Sequence, residues 1–324
     1  MSQPLRARRL LLPLVPLYQL ALAIREVRLG SRLEPVRRLR FPVVSIGSLS
    51  AGGSGKTPLT IALARALTRR GLHVDVLSRG YGRRSEAALR VDPNGASDEF
   101  GDEPLVIARE AEVPVYVAPQ RYRAGLLAEG YESSPTGLHL LDDGFQHRQL
   151  HRDIDILLLD GRDWNDHLLP AGNLREPLRA LRRASVLAIP ANDPELESRL
   201  KANGWQGPIW RLRRRMEVPP VEGPVVAFCG IARSEQFFAG LEAAGLHLAS
   251  RIAFPDHHNY KDHDLDCIQD AVRSIGAKAL VTTEKDLVRL GRLCESLPLK
   301  AVRLRIEIEN EEAALDWLVK GLGA

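Results

Sequence analysis

The sequence predicts an α/β protein in which a mainly parallel sheet is flanked by helices on both faces. Short apolar runs rich in Val, Ile and Leu alternate along the chain with longer stretches of helical periodicity. One early apolar run leads directly into a glycine-rich loop and then into an apolar helical stretch. After a proline- and arginine-rich stretch the alternation begins again, which predicts a second, smaller α/β domain.

With 324 residues the chain is long enough for two domains. We expect a membrane-associated helical segment at 1–40, a kinase-type domain at 41–205, a linker at 206–223 and a smaller α/β domain at 224–324. Strands are expected at 41–46, 74–77, 113–117, 138–142, 154–159, 186–189, 225–228, 248–254, 279–283 and 302–308. The main helices are expected at 58–70, after 234, from 262 onward and at 311–322.

Charge is distributed unevenly between the N-terminal segment and the rest of the chain. Residues 1–40 contain nine arginines and two glutamates, a net charge of +7, so the rest carries −3 of the total +4. A body without excess positive charge argues against a nucleic-acid partner, whereas a basic, apolar tip is typical of proteins at an anionic membrane surface. The three cysteines contain no CxxC pair, which fits a reducing compartment and argues against a disulfide framework or a zinc site.

The N-terminal segment contains an uncharged, mostly apolar run at 10–24 between two groups of arginines. The arginines are Arg6, Arg8, Arg9, Arg25, Arg28 and Arg32. The run has 15 residues, whereas a membrane-spanning helix needs about 20, and Pro13 and Pro16 disfavour a helix interior near its start. We therefore interpret the segment as a helix lying on the membrane surface. The alternatives are a signal peptide, suggested by Ala21-Leu22-Ala23, and a helix packed on the protein's own core.

The glycine-rich loop has the layout of a P-loop, because the stretch Gly47-Ser-Leu-Ser-Ala-Gly-Gly-Ser-Gly-Lys-Thr57 lies between a strand and a helix. Its backbone N–H groups are expected to surround phosphate oxygens at the positive end of the helix. Lys56 would reach the β- and γ-phosphates of ATP, and Thr57 would hold Mg²⁺. The strict motif has glycine where this chain has Ser50. The expected nucleotide-binding residues are Ser50, Ala51, Gly52, Gly53, Ser54, Gly55, Lys56 and Thr57.

Two aspartates, Asp142 and Asp143, follow the apolar run that begins at residue 138. A P-loop enzyme needs a carboxylate at the tip of a neighbouring strand to support Mg²⁺, and either aspartate meets that need. The alternative is a simple turn, because Asp-Gly is a common turn pair.

Several motifs, in order along nearly the whole chain, resemble those of one known family. They are Gly47-x-Leu-x-x-Gly-Gly-Ser-Gly-Lys-Thr-Pro58, Ser78-Arg-Gly-Tyr-Gly82, Gly101-Asp-Glu-Pro104, Asp142-Asp-Gly-Phe-Gln-His147, Gly172-Asn-Leu-Arg-Glu-Pro177, Phe254-Pro-Asp-His257 and Thr283-Glu-Lys-Asp286. The family is tetraacyldisaccharide 4′-kinase of lipid A biosynthesis. Two departures are visible, since Ser48 replaces the family's usual asparagine and Asn173 a common proline.

The resemblance implies transfer of the ATP γ-phosphate to the 4′-hydroxyl of a tetraacylated glucosamine disaccharide 1-phosphate. It implies that Asp102 is the catalytic base with His257 as its partner, and that Arg175 and Lys56 act in catalysis. Glu176, Asp256 and Gln146 are implied to support the site. The partners would be a lipid-linked disaccharide and the cytoplasmic face of the inner membrane, with no obligate protein partner.

Other interpretations of these residues remain open. Asp102 could simply cap a helix, and His257 with His258 could form a surface or zinc-binding pair. A GTPase is disfavoured because Thr283-Glu-Lys-Asp286 lacks the Asn-Lys-x-Asp spacing that reads guanine. A non-enzymatic membrane adaptor would not need Asp102, Arg175 and His257 in addition to a P-loop. A P-loop kinase or NTPase acting on another membrane-associated substrate is the nearest alternative.

Overall fold

A computed structural model describes residues 8–31, 35–131, 137–294 and 297–323, so Arg6 and Arg32 of the basic N-terminal segment lie outside the described residues. Within these ranges the strands are β1 Val43–Ser48, β2 Val74–Ser78, β3 Leu89–Arg90, β4 Val115–Val117, β5 Leu138–Asp142, β6 Ile154–Leu158, β7 Val186–Pro190, β8 Ile209–Glu217, β9 Val225–Cys229, β10 Leu248–Ala253, β11 Ala279–Thr283 and β12 Leu299–Ile308. The α-helices are α1 Val15–Gly30, α2 Lys56–Arg69, α3 Ser97–Phe100, α4 Asp102–Ala111, α5 Arg121–Tyr131, α6 Pro194–Ala202, α7 Ser234–Ala243, α8 Asp262–Ile275, α9 Glu284–Leu290 and α10 Glu311–Gly321.

The described strands form one 12-stranded sheet in the order β10-β9-β11-β12-β8-β7-β6-β1-β5-β2-β4-β3. Neighbouring strands are parallel except in the pairs β3–β4 and β8–β12. The expected α/β class with a mainly parallel sheet is therefore confirmed. Strand β1, which leads into the glycine-rich loop, lies between β5 and β6, so the loop and the carboxyl end of β5 share one edge of the sheet.

The central strands are buried on both faces, as expected for parallel strands covered by helices. All six residues of β1 are buried. One face packs against α2, α4 and α10. The opposite face of the first half packs against α5 and α6, and α7 and α8 cover the two faces of the second half. This packing fixes the strand ends from which the site residues extend.

The expectation of a linker at 206–223 is wrong over Ile209–Glu217, which is strand β8. This strand pairs in parallel with β7 and antiparallel with β12, and so joins the two halves of the sheet. Buried Trp210 and Leu212 alternate with exposed Arg211 and Arg213, which is the pattern of a half-buried strand. The many arginines in this stretch made the alternation of apolar and polar residues difficult to recognise in the sequence. The division of the chain into two domains stays a prediction.

The last helix, α10, packs back on the first half of the chain. Leu315 and Leu318 belong to the same core as the apolar residues of β1 and α2. At its surface, Arg70 follows α2 and pairs with Glu312 and with Asp316, the latter at 2.7 Å. The C-terminal residues therefore stabilise the helix that begins at the glycine-rich loop.

The N-terminal segment forms a 3-10 helix, Arg9–Leu14, that continues into α1. Val15, Tyr18 and Leu22 pack against the protein, whereas the opposite side is apolar and exposed, with Leu17 67% and Val27 69% accessible. The 22 residues Arg9–Gly30 are long and apolar enough to cross a membrane, although signal sequences meet the same criteria.

Candidate active site

The glycine-rich loop connects β1 to α2 with a backbone that depends on its glycines. Gly52, Gly53 and Gly55 have φ values of 74°, 59° and 94°, in the region that side chains other than glycine rarely adopt. Gly55 lies at the N-cap of α2, and Lys56 is the first residue of the helix. The loop therefore directs backbone N–H groups and the positive end of the helix toward one point, which is an anion site.

Lys56 is positioned by hydroxyl groups and by one carboxylate. Its Nζ lies 3.4 Å from Ser48 Oγ, 3.2 Å from Ser54 Oγ and 3.8 Å from Asp143 Oδ1. The Ser48 hydroxyl in turn donates to the Ser50 carbonyl at 2.7 Å. Ser48 thus gives polar contacts to the loop at the position where the family has asparagine.

Asp142, at the end of β5, is completely buried beside the loop. Thr60 Oγ1 lies 3.1 Å from Asp142 Oδ1, but Oδ2 has no hydrogen-bond partner among the described residues. Burial, followed by the nearby Glu103 and Asp143 carboxylates, raises the pKa of Asp142 to about 7. The carboxylate is therefore poised to accept a positively charged ligand.

Asp143, the next residue, is held by two cations. Arg175 donates from Nη1 and Nη2 to its two oxygens at 2.9 Å and 2.8 Å. Burial alone would raise the pKa of Asp143, but Lys56 and Arg175 outweigh it and lower that pKa to about 2. Asp143 also has a φ of 51°, a strained value for a non-glycine residue and one that is frequent at functional sites.

Asp102 and His257 come together from opposite halves of the sheet. Asp102 is the first residue of α4, and the N-cap position is taken by Gly101, so Asp102 is not the cap of the helix. Its Oδ2 lies 3.2 Å from His257 Nδ1. Arg289 Nε donates to the same oxygen at 2.6 Å, and Arg289 Nη2 lies 3.3 Å from His257 Nδ1. Burial would raise the pKa of Asp102, but the contacts with His257 and Arg289 lower it below its ordinary value. Asp102 is therefore ionised at neutral pH.

The sequence did not point to Arg289, which also donates Nη1 to Asp286 at 3.0 Å. A second ion pair, between Lys285 and Glu103, joins the same two elements, α9 and α4. The one available signal was the spacing Asp286 to Arg289, which places both side chains on one face of a helix.

The expected supporting residues occupy three different positions. Gln146 Nε2 donates to the Ser48 carbonyl at 3.1 Å, next to the loop. Asp256 is exposed, and its Oδ1 accepts from the backbone N–H of His257 at 3.1 Å. Glu176 is buried and pairs with Arg183 at 2.7 Å.

One cleft of about 1370 Å³ brings most of the expected site residues together. Its lining includes residues 51–57, Asp142, Asp143, Gln146, Arg175, Asp256 and His257. The cleft extends to the N-terminal helix, where Tyr18 donates its hydroxyl to the Arg175 carbonyl at 2.9 Å and Arg25 donates to the Gln146 carbonyl. The site and the exposed apolar helix are therefore continuous.

Further basic side chains line the cleft between the loop and this helix. They are Arg25, Arg37, Arg79 and Arg121. Arg121 is only 7% exposed, and burial together with Arg79 lowers the pKa of Arg121 to about 10. His147 lies beside them, and burial followed by Arg121 lowers its pKa to about 3. This concentration of positive charge favours an anionic ligand.

The chain is similar to known proteins over nearly its whole length. The sequence model described as "LpxK: Tetraacyldisaccharide-1-P 4'-kinase" matches residues 7–322. The chain is similar to a tetraacyldisaccharide 4'-kinase of Koribacter versatilis, with 43% identity over 95% of this chain and 97% of the relative. It is 35% identical to the Aquifex aeolicus enzyme of the same name over 94% and 96% of the two chains. A crystal structure of "apo" form LpxK from Aquifex aeolicus in complex with ATP superposes with a TM-score of 0.77 and 33% identity, covering 98% of this chain and 99% of the other.

Proposed function

The chain belongs to the tetraacyldisaccharide-1-P 4'-kinase family and is a lipid A 4′-kinase, and we propose that it transfers phosphate in the cleft between the glycine-rich loop and the Asp102–His257 pair. The phosphate donor is ATP, the nucleotide with which the similar Aquifex aeolicus protein was crystallised. The acceptor is the 4′-hydroxyl of a tetraacylated glucosamine disaccharide 1-phosphate. The observation that carries this proposal is the 3.2 Å contact between Asp102 and His257, made across the two halves of the chain.

Asp102 is the group best suited to accept the hydroxyl proton. Its carboxylate is ionised and is held by His257 and Arg289, so it does not need to reorient before accepting a proton. A positioned base of this kind typically accelerates a reaction by ~10²–10⁴-fold. Lys56 and Arg175 would neutralise charge on the transferred phosphoryl group, which is the larger part of catalysis in this reaction class.

The residues at the loop fit Mg²⁺. Asp142 has a buried oxygen without a partner among the described residues, whereas both oxygens of Asp143 are taken by Arg175. Asp142 and the hydroxyl of Thr57, in the first turn of α2, would therefore hold the ion. When bound, Mg²⁺ supplies positive charge that offsets the negative charge of the phosphates.

The acceptor carries its own phosphate, and the basic side chains near the N-terminal helix fit it. Arg121 is buried and Arg79 and Arg25 line the same part of the cleft. Guanidinium groups bind phosphate through paired hydrogen bonds. We infer that they hold the 1-phosphate while the 4′-hydroxyl reaches Asp102.

The acyl chains of the acceptor require a surface that is itself at the membrane. The exposed apolar side of α1, with Leu17 and Leu20 accessible, adjoins the cleft through Tyr18 and Arg25. We infer that α1 lies in the cytoplasmic leaflet of the inner membrane, where ATP is available and anionic lipids attract the flanking arginines. The substrate would then enter the cleft from the membrane.

An acceptor-dependent assay with an identified product tests the proposal. Release of the nucleoside diphosphate should require the lipid disaccharide and should be faster with ATP, which leaves ADP, than with GTP, which leaves GDP. The lipid product should carry a new 4′-phosphate. Lys56→Ala should abolish the reaction. GTP preference would favour a GTPase, nucleotide binding without turnover would favour an adaptor, and transfer to a different membrane-associated acceptor would favour another kinase activity.

A further inference from the structure

Three arginines surround the glycine-rich loop. Two of them form close hydrogen bonds with described residues of the site, and the third does not. Arg175 makes two bonds to Asp143. Arg214, on β8, donates Nη2 to the Ser54 carbonyl at 2.6 Å. The third, Arg233, lies between β9 and α7 and so comes from the other half of the sheet.

The side chain of Arg233 lies directly against the loop. A Cβ atom added to Gly53 would lie 2.5 Å from Arg233 Nε and 2.6 Å from its Cδ. One added to Gly52 would lie 3.2 Å from the Cβ of Ala232. Ala232 and Arg233 therefore pack directly against the backbone of the loop at these two glycines. Both Ala232 and Arg233 line the cleft beside Lys56.

Arg233 has no adequate partner within the part of the chain that the structure describes. Its Nη1 is buried and forms no hydrogen bond with any described residue. Its ion pair with Asp160 spans 3.6 Å, and Asp160 already accepts three hydrogen bonds from Arg162. Burial and the neighbouring Arg162 lower the pKa of Arg233. A buried guanidinium nitrogen without a hydrogen-bond acceptor costs free energy, and an anionic ligand at Nη1 would remove that cost.

We propose that Arg233 contacts the β- and γ-phosphates of bound ATP and stabilises the charge that develops during transfer. This rests on the proposed function, because it takes the loop as the ATP site. Lys56 approaches the phosphates from the start of α2, and Arg233 approaches from the second half of the chain. An arginine supplied to a P-loop in this way typically accelerates transfer by ~10³–10⁵-fold. It also makes activity depend on the position of the second half.

Arg233→Met tests this contact, because methionine keeps the bulk of the side chain and removes its charge. We expect kcat/KM for ATP to fall by about 100-fold or more. The kcat/KM of Arg233→Lys for ATP should lie between those of Arg233→Met and the wild type, because lysine keeps the charge but not the paired donors. Arg215→Met is the matched control. The Arg215 side chain is 72% exposed, and its Nη1 lies 3.9 Å from Glu307 Oε1. The kcat/KM of this variant should equal that of the wild type.

Calorimetric binding of ATP and of AMP shows whether the effect acts through the phosphates. Arg233→Met should weaken ATP binding several-fold and leave AMP binding within about twofold, because AMP has no β- or γ-phosphate. The proposal is overturned if both kcat/KM and ATP affinity of Arg233→Met lie within threefold of the wild type. It is also overturned if ATP and AMP binding weaken equally, because Arg233 would then only support the fold. If the wild type failed to phosphorylate the acceptor, the proposed function would fail, but the comparison of ATP with AMP would still test Arg233.

Discussion

Asp142 and Asp143 are adjacent, yet their surroundings give the two carboxylates opposite properties. Burial, followed by the neighbouring carboxylates, raises the pKa of Asp142 to about 7. Asp143 is buried between Lys56 and Arg175, which lower its pKa to about 2. Asp142 therefore destabilises the fold when it is ionised, and a bound cation can offset this effect. Asp143 instead stabilises the fold through its ion pairs.

In protein free of nucleotide and metal, replacing each aspartate by the neutral asparagine should change the melting temperature in opposite directions. Between about pH 4 and pH 7, Asp142 ionises in the unfolded chain but stays protonated in the folded protein, so stability falls by up to roughly 1.4 kcal/mol for each pH unit. Asp142→Asn, which retains the Thr60 contact, should therefore raise the melting temperature more at pH 8 than at pH 5. Asp143→Asn should lower it at both pH values, because both lie above the ordinary and the lowered pKa of Asp143. A lower melting temperature for Asp142→Asn at pH 8 would contradict the assignment.

Arg289 should control the pH dependence of transfer through Asp102. A base must be ionised, so activity is lost as pH falls through its pKa. The lowered pKa of Asp102 puts this loss in the wild type below the range in which an ordinary aspartate titrates. Arg289→Met removes one of the cations that lower this pKa, so the acidic limb of kcat should move to higher pH. Arg273→Met, an exposed arginine on α8, is the control. An unmoved limb in Arg289→Met would show that Asp102 is not the titrating base.

At the scale of elements, the sequence predicted best where a strand end carries a motif. The glycine-rich loop, Asp142 and Asp143 were predictable because parallel strands place their carboxyl ends at one edge of the sheet. Strand β8 was missed because only Trp210 and Leu212 mark its buried face among many arginines. Arg289 could not be predicted, because it reaches Asp102 across 187 residues of sequence, a contact that only the tertiary fold creates.

The exposed face of α1 carries the prediction for membrane attachment. Leu17→Glu with Leu20→Glu places two charges on that face and should abolish most flotation with vesicles containing anionic lipid, because apolar burial drives this binding. Leu126→Glu, at another exposed leucine on α5, should float like wild type.

Equal flotation of the double α1 variant and the wild type would contradict the membrane role of this helix. Substitution is a cleaner test than removing the helix. Truncation would also remove Tyr18 and Arg25, which contact the backbone of Arg175 and Gln146.

At the scale of the whole molecule, the two halves of the chain contribute to one site. The first half supplies the glycine-rich loop, Asp142 and Asp102, and the second supplies His257 and Arg289. The halves are joined through β8 and through the ion pair of Lys285 with Glu103. Under the proposed function, the second half would position Asp102 as the base while the first half holds ATP. Closure of two such parts around a nucleotide is how many kinases exclude water during transfer.

The most direct test measures kcat for transfer from ATP to the lipid disaccharide in wild type, Asp102→Asn, His257→Ala and the double variant. Asp102→Asn should lower kcat by ~10²-fold or more with little change in ATP affinity, because a base acts on the transition state. His257→Ala should lower it in the same direction, and the double variant should lose clearly less than the product of the single losses, since the two side chains act as a unit. Near-wild-type kcat in Asp102→Asn, or full additivity in the double variant, would contradict the account.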